Sequence, residues 1–175
     1  MMTTLKSKFL LDPHVIFLNH GSFGACPQPV FEVYQAWQRR LELQPVLFLN
    51  REIISLIQEA RQVLAAYLHT PADNLAFVPN ATHGVNIIAR SLALSKDAEI
   101  LISDHEYGAM EYTWEFISKK TGANIVRQPI PLPVQSSAKI ADQFWQGVTR
   151  RTKVIFLSHI SSPTALKFPV EILCA

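Results

Sequence analysis

Cysteine is almost absent from the chain: Cys26 and Cys174 are the only two in 175 residues, and they stand far apart without CxxC spacing. That excludes a disulfide framework and a thiolate metal site, and it leaves a reducing, cytoplasmic setting as the default. An excess of one charge is missing too. The formal net charge is +2, and the basic pairs Arg39-Arg40, Lys119-Lys120 and Arg150-Arg151 are scattered, with no stripe that could release counterions from a phosphate backbone. These pairs read as solvated helix faces, and no nucleic-acid partner is expected. No apolar run approaches the length of a membrane span, so no membrane partner is expected either. The short run Phe9-Leu10-Leu11 is broken by Asp12, Pro13 and His14 before the core of a signal peptide develops. What is present is 49% hydrophobic and 17% charged residues, the composition of a globular chain with a real core.

Two helical patterns come first, Val30 to Leu43 and Glu52 to Leu68. In the second, Ile53, Leu56, Ile57, Ala60, Val63, Leu64 and Tyr67 recur at three and four residues on one face. From Leu75 the pattern changes to short apolar runs alternating with amphipathic segments, as in βαβ units. The runs Leu75–Val78, Glu99–Ser103, Asn124–Arg127 and Lys153–Ser158 are predicted strands. Helices are predicted at about Gly84 to Leu94, Ala109 to Lys120 and Ala138 to Thr149, with Gly122 at a left-handed cap. The stretch "QPIPLP" reads as an extended crossing, and Pro169 as the N1 residue of a last helix that stops after about one turn. The expected fold class is α/β, a mainly parallel sheet flanked by helices. Residues 1–70 are expected to form an N-terminal arm with helices, and 71–175 an incomplete large domain, which suggests a piece of a longer protein.

Ligands of open parallel α/β sheets bind beyond the carboxyl ends of the strands, so the turns there carry the functional expectation. "NATHGVN" (80–86) precedes a helix with small residues that leave its first amides open, and Thr82 adds a hydroxyl; this suits a phosphate or a carboxylate, or else an ordinary helix capped by Asn80 or Thr82. "DHEYG" (104–108) follows the run "EILIS" with titratable and aromatic groups. Adjacent residues on one turn do not converge like an HExxH pair, so no metal is expected, and the plain alternative is a polar turn. "SHISSPT" (158–164) offers hydroxyls and an imidazole at a strand end, without the GxSxG elbow of a nucleophilic serine; otherwise it is a Ser/Pro loop. "FLNHGSFGACP" (17–27) allows close backbone approach, or is a tight turn into the first long helix.

These four stretches, in this order, resemble the class V aminotransferase superfamily of pyridoxal-phosphate enzymes of fold type I, in its isopenicillin N epimerase-like and cysteine desulfurase-like branch. The likeness runs from about Val15 to Ile172. It implies pyridoxal 5′-phosphate as cofactor and a small amino-acid substrate, with a homodimer or a complementing C-terminal segment as partner. By position it implies that Ala81 and Thr82 hold the cofactor phosphate, that Tyr107 covers the pyridine ring with His105 as the fallback, and that Ser162 contacts the ring hydroxyl. It places Asn19, His20 and Gly21 along the substrate pocket and Arg51 on the substrate carboxylate, and gives Asn86 a structural part.

The resemblance also implies an aspartate and a cofactor-bearing lysine after "SPTALKFPVE", beyond the last residue here. None of the eight lysines stands in a matching motif, and Lys167 corresponds to a variable position. The expectation is therefore a chain without a catalytic residue of its own, inert alone, from an enzyme of racemisation or epimerisation, or of C–S lysis. Two other readings stand beside it: a non-catalytic subunit that assembles with a separate C-terminal chain, and a cysteine desulfurase-like enzyme, for which Cys26 is misplaced as nucleophile. A phosphate-binding α/β module unrelated to pyridoxal is the third.

Overall fold

The computed structural model describes residues 5–175, so the first four residues of the expected N-terminal arm lie outside the described residues. The chain divides into two compact units, Met1–Ala76 and Phe77–Ala175.

The first unit is helical. A short helix α1 (His20–Phe23) precedes the long α2 (Gln28–Leu43), where Pro29 falls at a position that needs no amide hydrogen bond. After α3 (Pro45–Leu47) a π-helical turn, Phe48–Glu52, leads into α4 (Ile53–Tyr67). Phe48 is buried, with its ring edge against Trp37, and Arg40 crosses to Glu52 at 2.8 Å. Tyr34, Ile54 and Val63 are exposed on these helices.

The second unit holds the sheet. It contains α5 (Ala81–Ser91), β1 (Glu99–Ser103), α6 (Gly108–Thr121), β2 (Asn124–Gln128), α7 (Ser137–Trp145), β3 (Thr152–Ile155) and α8 (Val170–Leu173). The three strands run parallel in the order β2-β1-β3, so the central strand comes first in sequence. Alternation along β1 sends Ile100 and Ile102 to one face, where they pack with Ala89, Trp114 and Ile117 of α5 and α6. Leu101 goes to the other face, with Ile140 and Phe144 of α7 and with Phe168. Both faces are covered, which is why β1 reads as an unbroken apolar run and not as an alternating one.

The fold class expected from the sequence is the one observed, and the differences are local. Leu75–Val78 is not a strand: among the described residues no strand pairs with it, and Phe77 is left exposed. A β-run without a ladder partner has nothing to satisfy its backbone. Helix α5 starts at Ala81, ahead of the predicted Gly84, because Asn80 caps it. Helix α7 ends at Trp145, short of Thr149, ahead of the turn at Gly147. Pro169 is the N-cap of α8 and not its first residue. Gly122 does end α6 in the left-handed region, at φ 80°.

The β2 edge carries Arg127, whose guanidinium meets Glu111 at 3.0 Å and Glu115 at 2.9 Å on α6. At the amino end of the sheet the buried Glu99 accepts from Thr149 Oγ1 and, at 2.7 Å, from Arg151 Nε. The Thr149 hydrogen bond, assisted by Arg151 against the opposing effect of burial, holds the Glu99 carboxyl below its ordinary value of 4.5.

Two predictions follow from this packing. A Cβ added at Gly147 would lie 2.5 Å from Leu101 Cδ1 and 2.8 Å from Gln128 Oε1. Gly147→Ala is expected to lower stability by about 1 to 3 kcal/mol in chemical denaturation, and by less in a Leu101→Ala background. A carboxyl lowered in the folded state contributes stability above its ordinary value and loses it as pH falls through the lowered one. Glu99→Gln should therefore flatten the loss of stability below pH 4.5 in acid titrations; an unchanged acid limb would refute the assignment.

Candidate cofactor site

Within the second unit, the carboxyl end of the sheet gathers the turns 80–86, 104–108 and 158–164. Helix α5 begins there with Asn80 in extended conformation (φ −165°, ψ 170°), its side-chain oxygen accepting from the His83 amide at 2.8 Å. The Gly84 amide bonds to the Asn80 carbonyl at 3.2 Å. This leaves the amides of Ala81 and Thr82, the first two of the helix, without an intrahelical acceptor, and neither has a protein partner among the described residues; the same holds for the Thr82 hydroxyl. Two open amides and a hydroxyl at the positive end of a helix suit a phosphate group. An open groove of about 420 Å³ runs past them, lined by Asn80, Thr82, His83, Asn86, Ile87 and Arg90.

This helix end is tied to the next one. Asn86 Nδ2 donates to the Thr82 carbonyl at 3.0 Å and to Thr113 Oγ1 at 2.9 Å, and Thr113 in turn donates to the Ala109 carbonyl at 2.9 Å. Thr82 at the start of α5 is thereby held against the first turns of α6, whose N-cap is Tyr107. Tyr107 is 51% exposed and leaves β1 at its carboxyl end.

His105 behaves differently. It is 6% exposed; its Nε2 lies 2.7 Å from the Ile130 carbonyl and its Nδ1 2.8 Å from Thr164 Oγ1, with Phe168 edge-on to the ring. A carbonyl only accepts, so Nε2 carries a proton and donates to Ile130, and Nδ1 shares a hydrogen bond with the Thr164 hydroxyl. Both nitrogens of His105 are thus committed to protein groups, and Tyr107 is the residue of the pair that is open. Asp104 accepts from the Ile130 amide at 2.9 Å, so Asp104 and His105 share Ile130 and lie 3.4 Å apart, whereas Glu106 turns to Ser103 and Ser158.

Ser162 sits in a closed loop. Ile160 and Lys167 form an antiparallel bridge, the Ser161 amide donates to the Leu166 carbonyl at 2.9 Å, and Ala165 closes the turn in the left-handed region at φ 55°. Ser161 is buried with its hydroxyl on Thr164, whereas Ser162 is exposed. The residues expected to bind substrate lie in the first unit: Asn19 is the N-cap of α1, His20 and Gly21 open that helix, and Arg51 is in the π-helical turn. His20 packs between the rings of Phe9 and Phe17.

The class-V aminotransferase family matches residues 24–175. The chain belongs to that family. It is 37% identical to the isopenicillin N epimerase of Amycolatopsis lactamdurans over 97% of its own length and 43% of the relative's. The isopenicillin N epimerase of Streptomyces clavuligerus is 35% identical over 97% of this chain and 42% of that protein. A probable chloroplastic L-cysteine desulfhydrase of Arabidopsis thaliana is 26% identical over 91% and 37% respectively. Among solved structures, a lysine-to-alanine variant of C-DES, with glycine covalently linked to its PLP cofactor, superposes with a TM-score of 0.85 at 21% identity, over 98% of this chain and 45% of that one. The chain therefore spans less than half the length of the curated relatives it matches.

Neither Glu106 nor the long-range part of Asn86 was marked by sequence reasoning as holding the site together. The partners of Asn86 and Glu106 are 27 and 52 residues away, and no local pattern pairs them. Asn86→Ala removes both bonds of its amide and is expected to lower the melting stability by about 1 to 2 kcal/mol, with Thr113→Val in the same background adding little. Additive losses would show that the two residues act separately.

Proposed function

We propose that this chain is the cofactor-holding part of a pyridoxal 5′-phosphate enzyme that acts on an amino acid, with racemisation or epimerisation at Cα as its reaction. The observation that carries the reading is the pair of open amides at Ala81 and Thr82, in a chain that is 37% identical to an isopenicillin N epimerase over 97% of its length. When bound, pyridoxal phosphate supplies a sink for the electron pair left at the substrate Cα. The chain's own residues bind and orient. Ala81 through its amide, and Thr82 through amide and hydroxyl, hold the phosphate. Tyr107 covers the ring face, a part assigned to it in preference to His105 because both His105 nitrogens are already bonded. Ser162 offers its hydroxyl to the ring hydroxyl. Asn19, His20 and Gly21 line the substrate side, and Arg51 takes the substrate carboxylate.

C–S lysis is the second reading, favoured by the likeness to a cysteine desulfhydrase and to the C-DES fold. There the Tyr107 hydroxyl would give its proton to the departing sulfur. In either reading the cofactor-bearing position is assigned to none of the eight lysines present. The partner in this reading is a second copy or a complementing segment, and the chain spans 42% to 43% of the epimerases' length.

Equilibrium dialysis of the purified chain against pyridoxal phosphate tests the reading. Thr82→Ala should weaken binding by about 1 to 3 kcal/mol without lowering the melting temperature; equal binding would reduce Thr82 to a plain helix residue. Borohydride reduction followed by peptide mapping should give no stoichiometric lysine adduct, and a stable adduct on Lys167 would overturn that assignment.

A further inference from the structure

Glu106 is a buried carboxyl group that none of the roles above uses. It is 5% exposed, and among the described residues no cationic side chain pairs with it. Its carboxylate is instead filled by neutral donors: Oε1 accepts from Ser103 Oγ at 2.8 Å and from the Ser158 amide at 3.2 Å, and Oε2 accepts from Ser158 Oγ at 2.6 Å. Ser103 is the last residue of β1, and its hydroxyl oxygen also accepts from the His105 amide at 3.2 Å. Ser158 lies in the chain leaving β3. One carboxylate therefore clamps the exit of β1 to the exit of β3, beyond the end of the paired ladder.

Each exit leads to a residue of the candidate site. Glu106 turns inward while its neighbour Tyr107 is exposed, so the anchored carboxylate fixes the backbone from which Tyr107 projects. Ser158 leads within four residues to Ser162 on its closed loop. We propose that Glu106 is a positioning residue that sets the spacing between Tyr107 and the Ser162 loop. Its effect on ligand binding rests on the cofactor reading of the preceding subsection; the clamp itself does not.

The chemistry of the pocket makes the variants graded. In Glu106→Gln the amide oxygen can serve the two donors at Oε1, but the amide nitrogen then faces Ser158 Oγ and reverses that bond, leaving the serine hydrogen without its acceptor. Ser158→Ala removes the same arm from the other side, and Glu106→Ala removes the clamp altogether. Amide hydrogen exchange of the ligand-free chain is the first readout. Both Glu106→Gln and Ser158→Ala should speed exchange about tenfold in residues 103–110 and 156–162 and leave α7 unchanged; no local change in either variant overturns the clamp. Pyridoxal phosphate binding by equilibrium dialysis is the second. Glu106→Gln should weaken it about tenfold, and should not weaken it further once Tyr107 and Ser162 are both alanine. A full tenfold loss that persists in that background would refute action through these two residues. If the wild-type chain binds no pyridoxal phosphate, the cofactor reading fails, and the exchange data still decide the clamp.

Discussion

Every side chain of β1 is buried, and this constraint organises the rest of the second unit. A strand covered on both faces has no lateral surface on which to display polar groups, so its chemistry must sit where it ends. At the amino end that is Glu99, satisfied by Thr149 and Arg151. At the carboxyl end it is the run Ser103 to Tyr107, in which buried and exposed side chains sort themselves into anchors and displayed groups. The division of labour is enforced by burial: Ser103, His105 and Glu106 must find acceptors and donors within the protein, and Tyr107 need not.

The two helices that follow the open end are placed by hydrogen bonds as much as by apolar packing. Asn80 consumes the third amide of α5 and leaves the first two, so the cap that starts the helix also limits what its terminus can still receive. Asn86 then couples that terminus to α6 through Thr113. A phosphate gripped by Ala81 and Thr82 would be gripped by a helix end whose position is shared with the helix that Tyr107 caps, and rigidity of this kind separates a binding constellation from a loose group of suitable side chains.

The sheet was legible wherever one strand's own sequence decided its fate. "EILIS" is apolar, bounded and central, and its limits were read to the residue. "LAFV" at 75–78 has the same look and forms no strand, because strand formation requires a neighbour and composition does not say whether one exists. Turn chemistry was legible at Gly122 and, as one of two candidates, at Asn80, where a single residue's conformational preference dominates. In the "DHEYG" turn the sequence left Tyr107 and His105 both standing. The choice depends on which ring is enclosed by Ile130, Thr164 and Phe168, residues 25 to 63 positions away, and only the folded chain brings them together.

The sheet order has a consequence for how its outer strands are held. With β1 in the centre, β2 and β3 are the outer strands among the described residues. Near the carboxyl end of β2 stands Arg127, held by Glu111 and Glu115 of α6, and β3 carries Lys153. Because β2 itself is short, these two ion pairs add a side-chain tie between the outer strand and α6 beyond the backbone ladder.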